Sequence, residues 1–230
     1  MHILVIDGHH VEAEFREKFG PAHEYTFLNS ELNESADFWI HTEELGQEAI
    51  AVAGAVFQFG CGIVPDYLAN AGGLPLFVDT SQQELPSFFA DNYQLFGFCG
   101  LPTLLNRCLL EVSLYHEADR AKLAETCAAL GTDYRVVADR VGLVTPRVIC
   151  QIINEACFTV QEGTATMQDV DLGMKLGTSY PRGPFAWANA IGVERVYAVL
   201  EAMWQDTHDE RYKVCPLLKR QALRGEPFAV

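Results

Sequence analysis

The spacing of apolar residues changes near Asp139, and this change restricts the fold more than any other feature of the sequence. Before it, short apolar runs alternate with polar stretches; after it, apolar residues recur at helical spacing almost to the end of the chain. Short continuous runs suit buried strands, whereas a 3.6-residue period suits helices packed along one stripe. Two rhythms in succession predict two domains of different class, residues 1–138 and residues 139–230, with no Pro/Ser-rich linker between them.

In the first half, Ile3–Ile6, Tyr25–Leu28, Asp37–Ile40, Leu74–Val78 and Leu95–Phe98 read as strands, and Val11–Phe19 has plausible helical spacing. The segment Ala49–Phe59 fits either a buried strand or an apolar helix. His116–Leu130 reads as an amphipathic helix closed by Gly131 and followed by a strand at Tyr134–Val137. Strands alternating with helices predict a parallel sheet, and hence a small, truncated Rossmann-like α/β domain. The phenylalanines Phe57, Phe59, Phe88, Phe89, Phe96 and Phe98 read as core.

The second half reads as all-α. Val148, Ile152, Ile153, Ala156, Cys157 and Val160 share a helical stripe that Gly163 stops. Thr166 can cap a second helix, with Asp169 completing a capping box, and that helix ends at Gly177. Pro184 opens a third helix, Gly192 interrupts it, and Val196, Val199, Leu200 and Met203 continue the stripe; Tyr212–Leu223 is expected as a last helix. The stripes around Ile152–Val160 and Val196–Met203 offer more apolar surface than one small domain can cover, which predicts a homodimer through this half.

Composition narrows the partners. The 230 residues carry a formal net charge of −15, with only 16 Lys plus Arg, so nucleic acid and anionic membranes are excluded as expected partners. No stretch reaches the ~18 apolar residues of a membrane helix. The start, Met1–Asp7, reads as a strand rather than a signal peptide. Seven cysteines without paired spacing predict reduced thiols, a cytoplasmic protein and no zinc site. His9 and His10 beside Glu12 carry metal-binding side chains, but adjacent residues point apart. Cys99 and His116 have the chemistry of a nucleophilic pair, though nothing in the sequence brings them together.

The run Asn154-Glu155-Ala156, then Asp169-Val170-Asp171-Leu172-Gly173-Met174-Lys175-Leu176-Gly177, then Tyr180-Pro181-Arg182-Gly183-Pro184-Phe185 and Ile191-Gly192 resembles the C-terminal domain of 3-hydroxyacyl-CoA dehydrogenases. Asp139-Arg140-Val141-Gly142-Leu143 fits the start of that domain, and Arg211-Tyr212 with Pro216-Leu217-Leu218 extends the likeness over roughly the last 40% of the chain. The closing Pro227-Phe228-Ala229-Val230 departs from the family's Gly/Lys-rich tail. The resemblance implies a Rossmann-like domain followed by a helical domain like the C-terminal one of 6-phosphogluconate dehydrogenase. It also implies NAD as cofactor, dimerisation through the helices and an acyl-CoA cleft.

Residue by residue, the chemistry implied by the resemblance is thin. A dinucleotide loop needs G-x-G-x-x-G for a tight turn, close approach to the pyrophosphate and helix packing. Those three positions hold Asp7, His9 and Glu12, and Asn29 stands where an acid should meet the ribose, so no cofactor site is expected. The family's catalytic His falls on Cys99. Its partner Glu, twelve residues on, falls on Glu111, for which a structural and a functional role are both open. Ser81 matches a substrate-side Ser, or is a turn residue. Pro102-Thr103 and Pro146 replace polar residues of the family pattern. The expectation is a catalytically degenerate relative that assembles with itself or a complete paralogue, or holds an acyl-CoA-like ligand. The alternative is an active dehydrogenase with a rebuilt site.

Overall fold

A computed structural model describes residues 1–29, 45–60, 68, 72–88 and 94–230. The chain divides into two compact units, Met1–Gly100 with Leu105–Leu143, and Leu101–Leu104 with Val144–Val230.

The first unit is built on seven strands: β1 (His2–Ile6), β2 (Glu24–Leu28), β3 (Ala55–Gln58), β4 (Pro75–Asp79), β5 (Gln94–Phe98), β6 (Leu109–Leu114) and β7 (Asp133–Val136). They lie in the order β2-β1-β3-β4-β5-β6-β7. Helix α1 (Glu12–Phe19) links β1 to β2, and α2 (Arg120–Leu130) precedes β7. Alternate side chains feed opposite faces. Ile3, Val5, Phe57, Phe77, Phe96 and Phe98 meet Phe15 and Phe19 of α1 and Leu123, Cys127 and Leu130 of α2. Leu4, Ile6, Val56, Leu76, Val78 and Leu95 form a second cluster with Ala49, Leu68, Leu85 and Phe88. Burial on both faces explains why these strands read as unbroken apolar runs. In-register Phe57, Phe77 and Phe96 make an aromatic row across three strands, with ring centroids 4.6 and 5.1 Å apart.

Several expectations change. The sheet is not wholly parallel, because β6 runs antiparallel to β5 before β7 restores parallel pairing. Leu109–Leu114, not anticipated as a strand, occupies that place; its central Glu111 interrupts the apolar pattern. The ambiguous Ala49–Phe59 segment is both things in turn, since residues 45–52 are helical and β3 begins at Ala55. The expected strand at Asp37–Ile40 and the core position of Phe89 lie outside the described residues.

The second unit comprises α3 (Thr145–Gln161), α4 (Met167–Gly177), α5 (Pro184–Ile191), α6 (Val193–Thr207) and α7 (Pro216–Arg224). Thr166 and Asp169 form the expected capping box, and Gly192, at φ 105, separates α5 from α6. The last helix starts at Pro216 rather than Tyr212, which sits buried in a preceding 3-10 turn. Proline suits the first helical position because its missing N–H has no partner there anyway. The two apolar stripes turn mainly inward, though Val148 of the first is exposed and Ile152 and Val160 are half-buried. Ile153, Val196, Val199, Leu200 and Met203 are fully buried within the unit, where α3 packs on α6. Other exposed apolar side chains of the unit lie outside the stripes, at Val144, Leu172, Leu176, Leu223 and Val230. Among the described residues no helix is long and apolar enough to cross a membrane.

Candidate functional site

The order β2-β1-β3 places a topological switch between β1 and β3, and open α/β sheets receive ligands outside the carboxyl ends of their strands at such a point. The groups gathered there come from the loops after β1, β3, β4 and β5.

The loop after β1 makes a tight turn without the expected first glycine. Asp7 takes it at φ 58, a left-handed conformation that costs an ordinary residue roughly 1–2 kcal/mol and that Asp tolerates better than most. Gly8 is required for another reason: a Cβ there would lie 2.5 Å from Val5 and 2.8 Å from the ring of Phe59. His9 and His10 follow in a 3-10 turn, with rings against Phe27 and Phe59 at 5.7 and 5.6 Å. The first turn of α1 carries Glu12 and Glu14. A helix N-terminus normally favours an anionic group; here Glu12 pairs with Arg16 at 2.8 Å and Glu14 accepts from the Asn106 N–H at 2.8 Å, so the first turn adds two carboxylates beside it. Asn29 follows β2, exposed. These residues do not fit the diphosphate of a dinucleotide.

Phe59 continues β3, its N–H bonded to Ile6 O at 2.9 Å, and its ring is almost wholly buried. It packs under both Gly8 and Gly100, since a Cβ on Gly100 would meet it at 2.8 Å. The switch point is therefore floored by this chain's own aromatic ring.

Asp79 ends β4 beside it. Its Oδ1 accepts from the Ser81 hydroxyl at 2.5 Å, the Ser81 N–H at 3.0 Å and the Gly100 N–H at 3.0 Å. Burial pushes its carboxyl above the ordinary range, opposed by these hydrogen bonds and by the charge of His10. Ser81 is itself buried, and its hydroxyl proton is directed at Asp79.

Cys99 follows β5 and is buried. The antiparallel register ends with Phe98 opposite Val112, so Cys99 and Glu111 are the next residues on the two segments, Cys99 already outside β5. Glu111 is partly buried, with Arg135 of β7 as its register partner. His116 lies at the other end of the ladder, beyond the Tyr115 N–H bond to Leu95 O, about 15 Å from Cys99 at strand rise. The structure thus joins Ser81 to Asp79, places Cys99 and Glu111 just past the last register pair of β5 and β6, and puts His116 at the other end of that ladder. Among the described residues, no group of three His, Cys, Asp or Glu could hold a metal ion.

A second carboxylate was not expected to matter. Asp139 accepts from Leu85 N–H at 2.9 Å and from the buried Ser113 hydroxyl at 3.0 Å, and burial raises its pKa. Gly97 makes room for Ser113 and Thr80, whose hydroxyls would lie 2.2 and 2.7 Å from any Cβ. The signal for Asp79 was available in the sequence as a charged residue closing the run Pro75-Leu76-Phe77-Val78. No comparable local pattern marks Asp139. In the helical unit, Thr103 holds φ 65 and accepts from Trp187 Nε1 at 3.0 Å.

Residues 142–227 match the family described as 3-hydroxyacyl-CoA dehydrogenase, C-terminal domain. A 3-hydroxyadipyl-CoA dehydrogenase of Escherichia coli is 41% identical over 87 residues, 38% of this chain and 18% of the relative. A probable 3-hydroxybutyryl-CoA dehydrogenase of Bacillus subtilis is 38% identical over 89 residues, 39% of this chain and 31% of the relative. The match therefore spans less than a third of either relative. In fold, the crystal structure of (S)-3-hydroxybutyryl-CoA dehydrogenase from Ralstonia eutropha superposes with a TM-score of 0.67 at 19% identity, covering 97% of this chain and 94% of that one.

Proposed function

Because the chain is a member of the 3-hydroxyacyl-CoA dehydrogenase family through its residues 142–227, we propose that it is a relative without NAD-dependent catalysis whose role is binding or assembly. The observation that carries this reading is the loop after β1. Asp7 stands in the left-handed turn, Gly8 is packed on Phe59, and Glu12 and Glu14 open α1. Hydride transfer needs a positioned acceptor before any base can contribute, so losing the cofactor loop removes the reaction whatever happens at Cys99.

Charge favours assembly over holding an acyl-CoA-like ligand. The α/β unit has 21 acidic and 7 basic residues, against 10 and 9 in the helical unit, so its field opposes a polyanionic CoA. A second copy or a complete paralogue are the partners this reading favours. Calorimetric titration with NADH at millimolar concentration should give no saturable heat; clear saturation would overturn the proposal.

The second reading, an active dehydrogenase with a rebuilt site, draws on the β5–β6 register, in which Cys99 and Glu111 come next after the Phe98–Val112 pair. Formation of NADH from NAD and 3-hydroxybutyryl-CoA by the purified protein would establish it.

A further inference from the structure

The segment after α7 is held on the helical unit in an unusual way. Asn189, on α5, uses both ends of its amide on one residue: Nδ2 donates to Phe228 O at 2.9 Å, and Oδ1 accepts from Phe228 N–H at 2.7 Å. Gln168 Nε2 donates to Ala229 O at 2.9 Å, and Gln221 Nε2 donates to Glu226 O at 3.1 Å and Pro227 O at 2.9 Å. The Phe228 ring packs against Phe185 with centroids 5.0 Å apart and is 3% exposed, while Glu226, Pro227, Ala229 and Val230 are exposed. Recognition therefore rests on backbone groups read by three side-chain amides, plus one aromatic anchor. That is how protein grooves take extended peptides: main-chain bonds hold the segment and a pocket selects one side chain.

We propose that this surface of the helical unit is a peptide-binding groove, filled here by residues 226–229 of the same chain, and that its exchange partner is the same segment of a second copy. The complementary sequence already on the groove defines what fits it, and a second copy supplies that sequence unchanged. Gly225, at φ 65, forms a hinge at the end of α7, where a glycine can adopt other conformations freely. Exchange of identical elements through such a hinge is a low-cost route to association. The groove involves none of the residues at the sheet's carboxyl edge, so it stands apart from the loss of dinucleotide binding.

The test uses a fluorescent peptide of residues 224–230 and two full-length variants. Phe228→Ala removes the anchor and leaves the groove; Asn189→Ala damages the groove and leaves the segment. The peptide should bind F228A at least ~10-fold more tightly than wild type, whose own segment competes at a high effective concentration. The same peptide with Phe228→Ala should not bind. In native mass spectrometry, F228A mixed with N189A should give a mixed complex in excess of that expected from the two variants measured separately. Failure of the peptide to bind folded F228A overturns the groove. Peptide binding without enrichment of the mixed complex overturns the second copy as partner. Should F228A not fold, hydrogen exchange on wild type decides. The Phe228 amide should open faster than the amides of α5, and exchange in step with α5 would overturn the proposal.

Discussion

At the sheet's carboxyl edge, burial works against the charge of Asp79. Its folded pKa lies above the ordinary 3.8 because burial disfavours the ionised form more than Ser81, Gly100 and His10 favour it. A raised carboxyl pKa means that the folded state holds the proton more tightly. The stabilisation it gives is complete below the unfolded pKa and disappears as pH rises through the folded one. An asparagine at this position keeps a carbonyl oxygen for the Gly100 and Ser81 N–H groups and has no charge to desolvate. Asp79→Asn should therefore melt above wild type at neutral pH, with the gap closing as pH falls toward 3.8, as followed by scanning calorimetry. A variant that melts lower at neutral pH would show that Asp79 contributes through its charge. The sequence pointed to Glu111 and Cys99, since a fixed twelve-residue spacing is a one-dimensional signal. The three donors on Asp79 come partly from Gly100, 21 residues away, and no spacing rule announces them.

The motif around Gly183 is explained at the level of one helix start. Asp171, on α4, turns both carboxylate oxygens onto the first free N–H groups of α5, Phe185 at 2.8 Å and Ala186 at 2.9 Å. Gly183 is what lets the two helices approach, because a Cβ there would sit 2.5 Å from the Asp171 Cα. That contact is with backbone, which cannot rotate away. Gly183→Ala should cost about 3 kcal/mol or more, and Asp171→Ala, which orphans two buried donors, roughly 2–4 kcal/mol. Urea unfolding monitored by circular dichroism measures both; a Gly183→Ala variant within ~0.5 kcal/mol of wild type would refute this account. The capping box of α4 was legible because Thr166 and Asp169 are three residues apart. The cap of α5 was not, because Asp171 reaches it from 14 residues away. Strand β6 escaped notice for a related reason: its partner chooses its direction, and Glu111 breaks its apolar pattern.

At the scale of the whole molecule, a homodimer through the helical unit remains our proposal, with a revised physical basis. Most of the stripes is taken up by packing inside the unit, and Ile153 and Val199 are fully buried, so Ile153→Asp or Val199→Asp would report unfolding rather than dissociation. The apolar surface left outside includes Leu172 and Leu176, 57% and 76% exposed on one side of α4. A specific interface should bury more than ~1,000 Å² and cover them. Leu176→Asp is expected to shift light scattering from dimer to monomer at micromolar concentration while the melting of the helical unit is retained. A wild-type monomer under those conditions would defeat the proposal. By itself the sequence determined the class of each half and the helix ends marked by glycine, proline and capping residues. Those features depend on periodicity and on the chemistry of adjacent residues. Only the tertiary structure decided the antiparallel place of β6, the Phe59 ring between Gly8 and Gly100, the carboxylates of Asp79 and Asp139 on distant donors, and the seating of Phe228 on Asn189. Each of these depends on which distant segments meet, and the free energy that selects such meetings comes from burial summed over the whole core rather than from any local run of residues.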